Sequence, residues 1–136
     1  MMINKKESSL SKIVARAHRD PDTFYKDGSL DELLAAVRKS GRLDIVVDFL
    51  QSNKVVERRI GSWTSSELAI EAAPIIEHIV NLVSSNDRAT VYYALECIAS
   101  VSEQDASLLR HLTDATAHPD PVIARLANYL ISNSGV

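Results

Sequence analysis

Apolar residues recur along this chain at helical spacing, and no stretch alternates apolar and polar residues as a half-buried strand would. Leu10, Ile13, Val14 and Ala17 mark one helix over 8–19, which Asp20-Pro21 stops because the residue before a proline is pushed out of the α region. Phe24 and Tyr25 read as a short turn. At Ser29 the run S-L-D-E predicts a capping box, with Glu32 reaching back, and a helix over 29–52 broken at Gly41. A short helix over 53–60 is expected to end at Gly61-Ser62. A second box, Thr64 to Glu67, opens 64–84, kinked at Pro74 by the missing N–H. Helices over 87–101, 103–117 (capped by Ser102) and 120–132 complete the expectation, the last entered through His118-Pro119-Asp120-Pro121.

These segments align with one another at a fixed offset. Ile75, Ile76, Ile79, Ala94 and Ile98 each precede an apolar counterpart by 33 residues (Leu108, Leu109, Leu112, Ala127, Ile131), as His78 precedes His111 and Asp87 precedes Asp120. One period earlier, Leu43, Val46, Val47, Phe49 and Leu50 precede Ile76, Ile79, Val80, Leu82 and Val83, and Gly41 precedes Pro74. A period of this size predicts helix-turn-helix units, each exposing an apolar face that a neighbouring unit covers. Gly61, Ala94 and Ala127 share one position in the period, where small residues permit close helix approach. Pro74 and Asp87 in one unit, and Asp120-Pro121 with Ala127 in the next, resemble the HEAT repeat family. Where that family carries Val-Arg after the turn, this chain has Thr90-Val91 and Ile123-Ala124. The resemblance covers residues 64–132 best. It implies an all-α fold, a short right-handed α-α superhelix of HEAT-like pairs in a single domain over 1–136, with the second helix of each pair lining the concave surface.

Charge sharpens the picture. Residues 1–60 carry twelve Lys or Arg against nine Asp or Glu, and residues 61–136 carry three against nine, so a +3 half adjoins a −6 half. Phosphate affinity comes largely from Lys and Arg, so the acidic half disfavours nucleic acid and suits a basic protein partner. The clusters Arg38, Lys39, Arg42 and Arg58, Arg59 could touch phosphate but lack a surrounding positive field. Cys97 alone excludes an internal disulfide framework, and no apolar run has the length of a signal peptide or a membrane span, so a cytoplasmic location is expected.

Outward positions one period apart define two candidate surfaces. On the second helices, Arg59, Tyr92 and Arg125 are equivalent, as are Glu96 and Tyr129; Tyr and Arg dominate binding energy at many interfaces, so this ladder is the first candidate for a partner site. The competing description of the same residues is an ordinary solvated helix face. The second candidate is an acidic strip on the first helices: Asp44, Asp48, Glu77 and Asp114. Candidate chemistry is thin. His78 and His111 lack further ligands one turn away, Cys97 sits on a buried face without a paired base, and Trp63 reads as a core plug at a helix junction. No phosphate loop, nucleophile elbow or zinc-protease motif is present, and no cofactor is implied. The expected function is a non-enzymatic protein-binding module. In size, acidity and lack of chemistry the chain resembles bacterial immunity or antitoxin-type inhibitors, which implies a basic toxin as partner. The alternatives are a HEAT-like nucleic-acid-processing enzyme of the DNA glycosylase type and a generic scaffold or adaptor.

Overall fold

The computed structural model describes residues 5–134, so the first four residues of the amino-terminal run lie outside it. The described residues are all-α, without a strand. Helices α1 (Lys5–Arg19), α2 (Pro21–Lys26), α3 (Ser29–Ser40), α4 (Leu43–Leu50) and α5 (Val55–Leu68) are followed by a 3-10 segment (Ala69–Ile75), α6 (Ile76–Val80) and a further 3-10 turn (Asn81–Ser84). Then come α7 (Arg88–Ser102), a 3-10 turn (Ala106–Leu108), α8 (Leu109–Ala115) and α9 (Pro121–Ser132). No helix among the described residues is long and apolar enough to cross a membrane.

Helix α5 is the hub, packing on α2, α3, α4 and α7, while α7 in turn packs on the 69–84 segments, α8 and α9. One core joins them, with Phe24, Phe49, Ile60, Ile79, Leu95, Ile98, Leu112 and Ile123 almost wholly buried. The sequence expectation of a helix end at Gly61-Ser62 is corrected: α5 runs straight through, and Thr64 lies inside it rather than opening a new helix. Trp63 is accordingly half-buried in mid-helix and not at a junction. Glycine weakens a helix by about 1 kcal/mol relative to alanine, but here packing overrides propensity. A Cβ on Gly61 would lie 2.9 Å from the backbone nitrogen of Leu50 and 3.0 Å from Cβ of Phe49, so the bare α-carbon is what lets α4 lie against α5. The next hydroxyls along the helix are satisfied within it: Thr64 donates to the Ile60 carbonyl at 2.7 Å and Ser65 to that of Gly61 at 2.9 Å.

Other boundaries differ for equally local reasons. Residues 21–26 form a helix, not a turn, because Asp20 accepts from the Thr23 amide at 3.2 Å and Pro21 suits the first turn. The expected box at Ser29 does not form. Ser29 donates to Asp27 at 2.5 Å, the N-cap is Gly28 at φ 88°, and Glu32 pairs with Arg16 instead. Gly41, at φ 70°, does end α3. The helix expected over 64–84 breaks at Ala69, five residues before Pro74, where φ is 54° and ψ −119°. Ser102 does not cap the next helix; its hydroxyl donates to the Ala99 carbonyl, and Asp105 caps the 3-10 turn at Ala106–Leu108.

Stability measurements can check two of these packing features. Gly61→Ala pushes Cβ into backbone that cannot yield, and Ala94→Leu and Ala127→Leu overfill sites with no solvent exposure, so each lowers unfolding free energy in urea by about 1–3 kcal/mol. Melts unchanged by all three would mean these positions are not tightly packed. Ala69→Gly has the opposite sign: relieving a left-handed alanine raises stability by about 1 kcal/mol, whereas an ordinary helical Ala→Gly change lowers it, and the direction of the midpoint shift distinguishes them.

Candidate partner surfaces

Asp87 and Asp120 cap α7 and α9, accepting from the Thr90 amide at 3.1 Å and the Val122 amide at 3.0 Å. Each also receives an arginine fork from two α-helices earlier in the chain. Arg59 on α5 donates to Asp87 at 2.9 and 2.6 Å, and Arg88 on α7 donates to Asp120 at 2.7 and 3.1 Å. A carboxylate at a helix N-terminus is favoured by the helix dipole, and the fork adds a charge-assisted pair. The Arg59 guanidinium and the Thr90 hydrogen bonds outweigh partial burial and hold the Asp87 carboxyl at about 2, below its ordinary 3.8. Arg59 is therefore committed to the scaffold, and the ladder expected from sequence loses its first rung.

The other four rungs meet. Tyr92, Glu96, Arg125 and Tyr129 line a hollow of about 340 Å³ between α7 and α9, floored by Val122, Leu126 and Leu130. Tyr129 is 66% exposed, the most exposed large hydrophobic among the described residues. Tyr92 is half-buried rather than fully outward and meets Tyr93 edge-on at 6.0 Å. The Tyr93 hydroxyl reaches that of Tyr25 on α2 at 3.4 Å, so the wall of the hollow is braced from behind. Burial, with a smaller contribution from Glu67, raises the pKa of Glu96.

The acidic strip is dispersed over α4, α6 and α8. Asp44 is claimed by Arg42, which donates to both its oxygens at 2.9 and 2.8 Å. Asp48 and Asp114 are exposed, and Glu77 is exposed at the rim of a depression shared with Arg110 and His111. The basic clusters are likewise mostly occupied. Arg38 donates to the Glu67 carbonyl at the end of α5 at 2.8 Å, and Arg58 to the Ser52 carbonyl at 2.9 Å. Lys39 instead faces α1.

Residues considered for chemistry fall into structural places. Cys97 is fully buried and its thiol is pushed up to about 12 by burial. His78 is half-buried and accepts from Gln51 at 3.3 Å. Among the described residues no group of three or more His, Cys, Asp or Glu side chains could hold a metal ion. Sequence reasoning passes over His18 and Glu57. Glu57 is 5% exposed; burial pushes its carboxyl up, but hydrogen bonds from Ser52 at 2.7 Å and His18 at 2.8 Å leave it lowered overall. The carboxylate thus only accepts, which places the His18 proton on Nδ1. The His18 ring stacks on Phe49 at 4.7 Å, so the cluster clamps the end of α1 onto α4 and α5. Ser52 is bonded to the far carboxylate oxygen and not to the imidazole, so no activated nucleophile results. A buried acid four residues before Gly61 in a helix has no sequence signature beyond its place on the apolar face.

No family model matches the chain, and neither a characterised protein nor a solved structure is significantly similar to it.

The Asp87 fork sets a pH dependence. Its folded pKa is depressed, so its stabilisation is fully present above about pH 4 and is lost as pH falls toward 2. The lowering corresponds to about 1–2 kcal/mol once the one-third exposure of Arg59 is allowed for. Asp87→Asn keeps a capping acceptor but not the charge. It lowers stability at neutral pH by about that amount and flattens the urea midpoint between pH 4 and 2, and a slope identical to the parent's would exclude the pair as its source.

Proposed function

We propose that the chain is a short HEAT-like stack of helical pairs that binds another protein without catalysis, in the manner of an immunity-type inhibitor occupying a basic toxin. Several features support the stack. The N-caps of α5, α7 and α9 are residues 54, 87 and 120, spaced at the 33-residue period. Burial repeats at the same spacing: Val46, Ile79 and Leu112 are buried, as are Glu57, Thr90 and Ile123, and Gly61, Ala94 and Ala127. The forks Arg59–Asp87 and Arg88–Asp120 tie one helix of the row to the next.

The binding reading is carried by the hollow between α7 and α9. Exposed Tyr129 and Arg125 stand over apolar side chains beside half-buried Tyr92 and Glu96, an aromatic rim carrying one charge of each sign around a small apolar floor. Such a combination is typical of interface centres. The acidic strip is the competing surface, suited to steering a basic partner toward encounter.

With a captured and purified partner, calorimetric titration separates the two. Tyr92→Ala combined with Arg125→Ala weakens binding by ~2 kcal/mol or more if the hollow holds the hot spots. Reversing Asp44 and Asp48 to Lys changes mainly the association rate and its salt dependence. Affinity indifferent to both sets, with the fold intact, places the site elsewhere; turnover of a nucleic-acid substrate by the purified chain overturns the non-enzymatic reading.

A further inference from the structure

A groove of about 730 Å³ runs between α1 and α3, roughly twice the volume of the hollow at α7 and α9. Its apolar lining comes from half-buried Ile13 on α1 and from exposed Ala35 and half-buried Ala36 on α3, whose short side chains leave room between the helices. Its rims are cationic. Lys12, Arg16 and Arg19 lie on one face of α1 at helical spacing, and Lys39 closes the α3 side. The single carboxylate present, Glu32, is taken by Arg16, whose guanidinium also lies over the Phe24 ring at 5.7 Å from its centre. Lys12, Arg19 and Lys39 form no ion pair among the described residues. Arg38, Arg42, Arg58, Arg59 and Arg88 are spent on carboxylates and backbone carbonyls, and the exposed Arg110 and Arg125 stand singly, so what sets this groove apart is the clustering of three cations without an ion pair around an apolar trough.

We propose that the groove between α1 and α3 is a docking site for an acidic amphipathic segment of a partner protein, with carboxylates flanking an apolar stripe at helical spacing. Apolar side chains of such a segment fill the trough over Ile13, Ala35 and Ala36, and its carboxylates pair with Lys12, Arg19 and Lys39 at the rims. A phosphate backbone satisfies the rims but leaves the apolar floor uncovered, and a basic segment is repelled. This site differs in charge from the hollow between α7 and α9, which is lined by one arginine and one glutamate, and it does not depend on that hollow being a binding site.

The test is fluorescence anisotropy of the full chain with a labelled peptide of about 18 residues, long enough to run the groove, built of Leu at helical spacing and Glu elsewhere. Binding in the micromolar range that weakens with added salt is expected. Lys12→Glu combined with Lys39→Glu weakens it about tenfold or more. Ala35→Trp, which fills the floor without changing charge, does the same, while Tyr129→Ala leaves it unchanged; circular dichroism confirms that each variant is folded. The proposal is overturned if the peptide does not bind at millimolar concentration, or if both groove variants leave binding intact. It is also overturned if an oligoglutamate without leucines or a single-stranded oligonucleotide of equal charge binds as tightly. A dimer in sedimentation equilibrium that dissolves in the Lys12→Glu, Lys39→Glu variant would assign the groove to a second copy of the chain instead.

Discussion

The approach of α4 to α5 at Gly61 is the constraint on which the rest of the arrangement depends. With Leu50 and Phe49 seated where a side chain would otherwise stand, α5 is held close enough to α4 for its remaining faces to receive α2, α3 and α7. The surrounding Ser62, Thr64 and Ser65 are small, and their hydroxyls bond back to their own helix, so the hub is polar in composition yet demands no partner from its neighbours. No buried side-chain nitrogen or oxygen among the described residues is left unsatisfied. A bulkier helix would present a wider apolar stripe but would hold its neighbours further apart.

Charge is used in a second, directional way. Arg59 and Arg88 each reach forward to the capping carboxylate of the next helix in the row, and Arg38 reaches to the carbonyl that ends α5. Arg38 thereby satisfies a helix-terminal carbonyl directly, whereas at α7 and α9 the aspartate caps the terminal amide and the arginine fork holds that aspartate in place. The consequence for function is subtraction. A tally of basic residues in the first half suggests a broad cationic surface, but most of its arginines are internal ties. What clusters without an ion pair is narrow and local: Lys12, Arg19 and Lys39 around the α1–α3 groove, set apart from single exposed charges such as Arg110, Arg125, Asp48 and Asp114.

The two concave surfaces differ in what they can hold. The hollow at α7 and α9 is smaller and aromatic, with Tyr92 set edge-on against Tyr93, which Tyr25 holds, so Tyr92 loses less side-chain entropy on contact than the exposed Tyr129 and Arg125 beside it. The groove at α1 and α3 is larger, floored by alanines and rimmed by flexible lysines, suited to a segment that brings its own bulk. They lie on helices that do not pack on one another, so occupation of one need not obstruct the other.

The helical character, the helix starts at Asp87 and Asp120, the stop at Gly41 and the burial of Ala94, Cys97 and Ala127 are legible in the residues alone, because apolar periodicity and capping are encoded within a few residues of where they act. Tyr92, Glu96, Arg125 and Tyr129 could be grouped in the same way, since they share or adjoin one position of a regular period. That Gly61 continues a helix is settled by packing, because a glycine's local cost is offset by a neighbour eleven residues earlier in the chain at Leu50. The same holds for Arg59, an outward contact by its spacing until Asp87 claims it, for Ser29 and Glu32, which find Asp27 and Arg16 in place of each other, and for Glu57, whose burial depends on His18 arriving from α1. The groove of Lys12, Arg16, Arg19 and Lys39 is invisible in the chain for that reason too: its two walls come from separate helices, and nothing in either stretch alone records the space between them.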